Sequence, residues 1–534
     1  MTVNLDAMIE REDFEIGDAA ASDTRKPGNE LYLASLTSDG RLAAFRKPEF
    51  QRETSAWTPE IVSEFIRSVV DANVVPAVIM WQSPTGKFFV IDGAHRLSAL
   101  IAWIEDDYGD RKISNDFFDH QPEATRVASA NKTRDLVDAK VGKYAALRGY
   151  AKVPATAPNE DALKRSRNIN NFPIYLQWIS GDAKAAEQSY VRINSTAVAI
   201  DRTEKRLIET RHQPNGIAAR ALLHSGAGYE YWGGFSSETK AKIKKLAVEI
   251  SNQLIKPIAD FPNVALNLPV QEKGHSAASV KNIYDLVAYL NPARTIGKNS
   301  VSPADDKDGV ATLACLKKLK DGTSRTFTKE NPGSLSLHPG VYCFGVTGKF
   351  IPKAFLGTIG FVNELEQKDR FYRFTKHRKN FEEFLIRHRY FLNQIGEGQG
   401  SGGRRGVPAV TKLFTYVFES VVAGLDDKAI IGGFKKDTAL SMLHVPQDVT
   451  VASGRKFSKD AEAATLLTKT MEHEFRCSVC SARLYRKAMS KDHRQRFEEG
   501  GKSSAENLDF THPYCNTGYK ERKASLARTP SKVK

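Results

Sequence analysis

The chain has 534 residues, 41% hydrophobic and 26% charged, the composition of a folded protein long enough for several cores. Lys and Arg outnumber Asp and Glu by 78 to 63, a formal charge of +15, which favours a polyanionic partner, nucleic acid before an anionic membrane, over an inert basic surface. No apolar run approaches the roughly 18 residues of a membrane span, and the acidic N-terminal stretch lacks the basic-then-apolar order of a secretory signal.

Residues 1–30 are expected to form a loosely ordered lead-in. Beyond them strand and helix alternate. Thr58 and Pro59 open a helix, the threonine as cap and the proline at the first helical position. Ile61, Phe65 and Val69, with Val62, Ile66 and Val70, supply its apolar stripe. The runs 76–81 and 88–91 read as short strands separated by the turn Ser83-Pro84-Thr85-Gly86. The second leads through Asp92-Gly93 into a helix with Leu97, Leu100, Ile101 and Ile104 on one face. Residues 112–172 are more polar, with loop-like stretches. A helix is predicted from Ala183 to about Asn194, and Asp201 to Glu204 have capping-box spacing for another.

Asp92-Gly93-Ala94-His95-Arg96-Leu97 sets a glycine turn, a histidine and an arginine at a helix start. Free amides and the dipole of such an end bind phosphate, and an arginine adds a bidentate donor. A helix that merely begins after a turn fits these residues equally well. In chain order, Pro48-Glu49-Phe50-Gln51-Arg52, Trp57, the Asp92–Leu97 motif and Tyr190-Val191-Arg192-Ile193-Asn194 resemble the ParB/sulfiredoxin-like domain of GmrSD-type restriction proteins. The resemblance covers roughly residues 31–210. It implies an α+β fold, binding of phosphate or a nucleotide such as an NTP, its hydrolysis in many members, and sensing of modified DNA. It would turn Asp92, Gly93, His95 and Arg96 toward the phosphates, with Gln51, Arg52, Arg192 and Asn194 as further contacts. The sulfiredoxin branch carries a catalytic cysteine just before its His-Arg; Ala94 stands there in this chain, which excludes thiol chemistry.

Residues 211–440 are expected to be mainly helical, with a long polar loop or insertion over 296–340 and a flexible glycine-rich linker over 396–406. Between them lies a basic aromatic helix. It carries Arg370, Arg373, Lys376, His377, Arg378, Arg387, His388 and Arg389, interleaved with Phe371, Tyr372, Phe374 and Tyr390. It can contact DNA backbone, although such helices more often pack their aromatics and solvate their charges. Cys315 and Cys343 stand alone and read as small buried hydrophobes.

The remaining three of the five cysteines lie within residues 477–515, which argues for metal in a reducing cytoplasm rather than for disulfides. Cys477-x-x-Cys480 and His512-x-x-Cys515 have the pairing that one tetrahedral zinc requires. Between the pairs lie Asp492-His493, Gly500-Gly501 and Asn507-Leu508, and Asn516 follows the last cysteine. Phosphodiester hydrolysis needs a base to activate water and a divalent cation to offset developing charge. A neutral imidazole and an adjacent carboxylate supply both. Residues 455–520 resemble an HNH (ββα-metal) endonuclease of the zinc-ribbon, McrA-like type. The resemblance implies His493 as general base, Asp492 and Asn516 as ligands of a catalytic Mg²⁺ (or Mn²⁺), and Asn507 as the residue that orients the catalytic loop. Cys477, Cys480, His512 and Cys515 would hold structural Zn²⁺. Two departures stand out: His512 replaces a cysteine, and Gln495 stands where many relatives carry a small or apolar residue. Residues 521–534 are expected to be a basic, disordered tail.

The expected whole is an α/β multidomain protein: a ParB-like N-terminal domain, a helical middle and an HNH nuclease that cuts modified or phage DNA. A homo-oligomer or a defence-system partner is compatible with it, and no membrane is involved. Two other functions remain open, a DNA-binding adaptor whose zinc module is only a grip, and a nucleotide hydrolase.

Overall fold

The computed structural model describes residues 2–13, 28–37, 41–119, 124–197, 202–254, 277–292, 294–296, 299–301, 303–398, 406–446 and 457–528. The chain divides into two compact units. One comprises residues 1–211 with 227–233, the other residues 212–226 with 234–534.

The first unit is built on a mixed six-stranded sheet of β1 (Arg11–Glu12), β2 (Glu30–Tyr32), β3 (Phe45–Pro48), β4 (Val78–Gln82), β5 (Phe88–Asp92) and β6 (Pro173–Ile179), in the order β1-β3-β5-β4-β6-β2. Its helices are α1 (Pro59–Val70), α2 (Ala94–Glu105), α3 (Lys112–Phe117), α4 (Ala124–Lys140), α5 (Tyr144–Lys152), α6 (Glu160–Asn171), α7 (Ala183–Ala197) and α8 (Arg202–Glu209). Central strand β5 is buried on both faces, so its sequence is an unbroken apolar run. Phe88 and Val90 enter the larger core with Val62, Ile66, Leu97 and Leu100, while Phe89 and Ile91 enter a smaller one with Phe50, Trp81 and Tyr190. Thr58 caps α1 as its sequence predicts, accepting from the Ile61 amide at 3.4 Å. Ile61, expected in the apolar stripe, is exposed. Asp201 lies outside the described residues.

The start of the chain departs from expectation. Residues 2–13 are packed, not loosely ordered, with Val3, Leu5, Met8 and Ile9 in the large core and β1 parallel to β3. The reason is a buried ionic junction. Asp6 receives Arg11 at 2.7 Å and Lys47 at 2.7 Å, and its Oδ1 accepts the Thr54 amide at 3.0 Å. Arg11 also donates to the carbonyls of Gln51 (2.6 Å) and Arg52 (3.1 Å), so the N-terminal segment holds the loop carrying those two residues. Burial works to raise the Asp6 carboxyl, but Arg11 and Lys47 hold it well below the usual carboxylate range.

The second unit is helical, with α9 (Pro214–Leu223), α10 (Ser237–Leu254), α11 (Ala277–Leu290), α12 (Val310–Phe327), α13 (Pro339–Tyr342), α14 (Pro352–Gln367), α15 (Phe371–Arg387), α16 (Tyr390–Gly398), α17 (Gly406–Val422), α18 (Asp427–Gly433), α19 (Lys459–His473) and α20 (Lys520–Arg528). It also holds two hairpins, β7 (Arg294–Ile296) with β8 (Asn299–Val301) and β9 (Ser490–His493) with β10 (Leu508–Thr511). Its core centres on Phe361, ringed by Phe374, Phe381, Phe414 and Phe418.

Three further expectations change here. The polar segment 296–340 contains α12, which buries Cys315, Leu316 and Leu319. Its small residues permit close packing, since a Cβ on Gly322 would lie 3.2 Å from Leu290. The glycine-rich stretch is helical up to Gly398 and again from Gly406, and residues 399–405 lie outside the described residues. The tail continues as α20 to Arg528, tied by Arg522 to Asp369 at 2.9 Å. The regions expected as a helical domain and a nuclease domain fall within one unit.

Replacing Asp6 with alanine strands two buried cations and should cost about 3–5 kcal/mol, read by thermal unfolding. Because Asp6 is held below its ordinary value, its contribution is complete above the unfolded carboxylate pKa of ~3.9 and fades as pH falls through the folded value. Asp6→Asn should therefore flatten the acid limb of stability against pH; an unchanged limb would count against the junction.

Candidate functional site

The C-terminal module has almost no apolar core of its own: Cys477, Leu484 and Cys515, with Val479, Met489 and Phe510 packed against them. A module this small gains from a cross-link, and four side chains of metal-ligating type converge there. A tight turn brings the first pair round, the Ser481 amide donating to the Cys477 carbonyl at 2.8 Å, with Ser481 in the left-handed region at φ 59. The donor atoms of Cys477, Cys480, His512 and Cys515 all lie within 4.8 Å of one another. His512 Nδ1 faces Cys480 Sγ at 3.4 Å and Cys515 Sγ at 3.6 Å, while its Nε2 donates to the Arg483 carbonyl at 3.0 Å. That bond fixes the tautomer and leaves Nδ1 as the ligand. Burial and the Arg378 charge work to lower His512, yet Cys480 and Cys477 raise it to about 9, so these two sulfurs favour a positive charge beside them. Zinc supplies such a charge, and three sulfurs with one imidazole form a closed tetrahedral donor set for it.

Beside this cluster, β9 and β10 pair antiparallel, with Asp492 opposite Asp509 and His493 opposite Leu508. Asp492 is 9% exposed and pairs with the ammonium of Lys520, the first residue of α20. Asn516 donates to the Lys491 carbonyl at 3.0 Å and to Ser490 Oγ at 3.1 Å, so its amide is anchored one residue before Asp492. Asp492 and Asn516 are hard oxygen donors suited to Mg²⁺, and Lys520 marks that carboxylate as a seat for positive charge. His493 Nε2 is 3.1 Å from Ser503 Oγ.

The loop after His493 is clamped by Asn507. Its Oδ1 accepts the Gln495 amide at 2.7 Å, and its Nδ2 donates to the carbonyls of Gln495 (3.1 Å) and Lys502 (2.8 Å). Gln495 is accommodated by a bond from its Nε2 to the Glu499 carbonyl at 2.8 Å. Both glycines are required by geometry: Gly500 has φ +83, and a Cβ on Gly501 would fall 2.0 Å from the Gln495 carbonyl oxygen.

In the first unit, Asp92 ends β5 and Gly93, at φ 100, starts α2 with no side-chain cap on its amides. The register shifts at Ile79/Met80 on β4, and Ile79 lies opposite Asp92. Arg96 turns back to Asp92 at 2.6 Å and to the Ala77 carbonyl at 3.2 Å, so its charge is already engaged. Gln51 donates to the Ile91 carbonyl at 3.2 Å, and its buried Oε1 has no hydrogen-bond partner among the described residues; Arg96 Nε is likewise buried and unmatched among them. His95 points elsewhere: its Nε2 accepts from the Ala56 amide at 3.4 Å and its ring lies 5.7 Å from Trp57. Burial, then the Lys47 charge, lower it to about 4, so it is neutral near pH 7. The backbone amide of Arg52 meets the Tyr190 hydroxyl at 3.4 Å. Arg192 is exposed on α7, and the side chain of Asn194 lies outside the described residues. The turn thus gathers Gln51, Asp92, Gly93 and Arg96, with His95 against Ala56 and Trp57.

Sequence reading gave no role to Lys520 or Ser503. Only β-strand pairing and the helix after Cys515 bring them to Asp492 and His493. The isolated cysteines are buried as expected, with burial raising Cys315 to about 12 and Cys343 still higher.

Residues 33–209 match the family described as GmrSD restriction endonuclease, N-terminal domain. That stretch of the chain is similar to the N-terminal domain of GmrSD restriction endonucleases. No curated protein and no solved structure matches the chain. Among the described residues no helix is long and apolar enough to cross a membrane.

Elemental analysis is expected to find zinc in the wild-type protein and less of it in Cys515→Ser, whose module should also loosen by near-ultraviolet dichroism; full zinc retention would remove Cys515 from the candidate ligands. Gly501→Ala should preserve zinc but displace the loop after His493, seen as broadened or shifted His493 resonances.

Proposed function

We propose that this protein is a metal-dependent DNA endonuclease. Its HNH-type module cuts phosphodiesters, and its GmrSD-type domain governs cutting by sensing modified or foreign DNA or a nucleotide. The observation that carries the reading is one β-hairpin and the turn after it. Asp492 and His493 are adjacent on β9, Asn507 braces the loop that follows, and Asn516 is bonded back to the strand beside the Cys477–Cys515 cluster.

In this reading Ser503 holds His493 Nε2, and Nδ1 accepts the proton of the water that attacks phosphorus. Asn507 keeps the ring in place through the loop, and Lys520 positions the Asp492 carboxylate. Asp492 and Asn516 are the residues that would hold Mg²⁺ or Mn²⁺, which would supply charge stabilisation at the leaving 3′-oxygen. The products are a 5′-phosphate and a 3′-hydroxyl. Zinc serves the fold alone.

For the N-terminal domain, the uncapped start of α2 and the unmatched Arg96 Nε offer donors to a polar ligand, phosphate-bearing by the family resemblance, and the unmatched Gln51 Oε1 would accept from a hydroxyl or N–H of that ligand rather than meet its phosphate. The Asp92–Arg96 pair narrows the contacts: the amides of the turn and Gln51 meet the ligand first, and Arg96 joins once Asp92 yields it. Arg192 and Asn194 belong to α7, outside this turn.

A second reading, a zinc-stabilised DNA grip without catalysis, is favoured by Lys520, which neutralises Asp492 without any metal. Plasmid nicking separates the two. Wild-type protein should nick with Mg²⁺ and stop with EDTA, and His493→Ala should lose about 10²–10⁴-fold of the rate. Undiminished metal-dependent cleavage by His493→Ala would overturn the assignment, and no cleavage on any modified or unmodified DNA would favour the grip.

A further inference from the structure

The basic aromatic helix α15 carries more charge than its packing uses. Its buried or paired cations are accounted for: Arg370 pairs with Glu419, Arg378 with Glu382 and Arg387 with Asp427. Arg389, just beyond the helix, is buried against the carbonyls of Gly340 and Phe344. Arg373, Lys376 and Lys379 are different. All three are exposed, and none takes part in an ion pair among the described residues. The acids one turn away are taken by other cations: Asp369 by Arg522, and Glu383 by Arg476 and Arg483. The positive charge of this edge therefore remains uncompensated. Burial and the charges of Lys376 and Arg373 lower the neighbouring His377 below its ordinary value.

The edge also has a fixed relation to the candidate nuclease centre. Phe371 packs edge-on against Tyr514 at 5.4 Å, and Tyr372 stacks on Tyr519 at 4.9 Å, with Arg522 over the Tyr372 ring. Tyr514 and Tyr519 bracket the turn that carries Cys515 and Asn516, and Tyr519 directly precedes Lys520, the partner of Asp492. Tyr372, Lys376 and Lys379 follow the helical i, i+4, i+7 spacing, so one stripe leads from that stacked ring outward along α15. From Arg373 to Lys379 the helix rises about 9 Å, and duplex DNA presents one phosphate per ~3.4 Å of each strand. Three long cationic side chains over that length match several consecutive phosphates.

We propose that Arg373, Lys376 and Lys379 of α15 form the backbone-binding edge that holds duplex DNA against the nuclease module. The contact is with phosphates, so it positions the duplex without reading sequence. It rests on the reading of residues 477–520 as a DNA-cutting centre.

The test uses the full-length protein in EDTA, so that binding is read without cleavage, and a fluorescein-labelled duplex whose anisotropy is followed against salt. The triple variant Arg373→Gln, Lys376→Gln, Lys379→Gln should keep its zinc content and melting temperature, because all three side chains are exposed. Its slope of log affinity against log salt should fall by about 2–3 relative to wild type, the loss of three phosphate contacts. An unchanged slope, no duplex binding by the wild type, or tighter binding of single-stranded RNA through the same residues would overturn the proposal. Nicking with Mg²⁺ keeps the two readings apart. Cleavage lost in His493→Ala with an unchanged slope in the triple variant sinks the edge and leaves the nuclease. A reduced slope without any cleavage leaves the edge and sinks the nuclease.

Discussion

One buried carboxylate joins the helical core to the Cys/His cluster. Glu382 is fully buried, and its Oε1 accepts Arg378 Nε at 2.6 Å and the Tyr342 hydroxyl at 3.0 Å. Its Oε2 accepts the amide of Arg483 at 3.2 Å. Arg483 in turn offers its carbonyl to His512, whose other nitrogen faces the sulfurs. Arg378 donates to the carbonyls of Leu335 and Ser336, and Ser336 Oγ reaches the Ala488 carbonyl at 2.6 Å. Burying such charges is favourable only when every donor and acceptor is matched, so the network tolerates little change in geometry. The ligand His512 and the phenylalanine core are thus one mechanical body, and the hairpin bearing Asp492 and His493 is mounted on it.

The first unit follows the same logic with another carboxylate. Asp6 gathers Arg11, Lys47 and Thr54, and Arg11 then orders the carbonyls from Pro48 to Arg52. The position of Gln51 against the Asp92 turn depends on that arrangement. In both units a buried ionic junction sets the loop, and the loop presents the polar group. The two candidate centres differ in what remains open. Around Asp92 the unmatched atoms are a buried amide oxygen and a guanidinium nitrogen, whereas around Asp492 the carboxylate already carries an ammonium.

What the sequence disclosed depended on how local the determining contact is. The α1 start was legible because Thr58 and Pro59 act within one turn. The convergence of the four Cys and His side chains was legible because Cys477-x-x-Cys480 and His512-x-x-Cys515 carry their spacing in the chain. The packed segment 2–13 was not, because acidic and basic residues ordinarily lie in water and nothing local announces that Asp6 and Arg11 are buried. The helix α12 was hidden by its lysines, threonines and glycine. Its burial rests on small residues: Gly322 lies against Leu290 and Ile359, and Thr323 returns its hydroxyl to the Leu319 carbonyl of its own helix. Lys520, the last residue of the expected nuclease-like module, had no role in the sequence reading; the helical turn after Cys515 places it on Asp492. Arg96, expected to face a ligand, is held by a carboxylate four residues back, a pairing that the i, i+4 spacing permits but does not compel.

The turn that carries Asn516 is a π turn over Cys515–Tyr519, continuous with α20. Its hydrogen bonds span five residues instead of four, so one extra residue is accommodated without breaking the helix. An ordinary α-helix advances about 100° per residue, so removing that residue would swing everything after it round by the same angle. Cys515 would keep its place at the sulfurs while Lys520 turned away from Asp492. The wide turn therefore acts as a phase adjuster: it lets one stretch of helix meet two separate demands, a sulfur pointed at the Cys/His cluster from its first residue and a cationic head pointed at Asp492 on the strand five residues later.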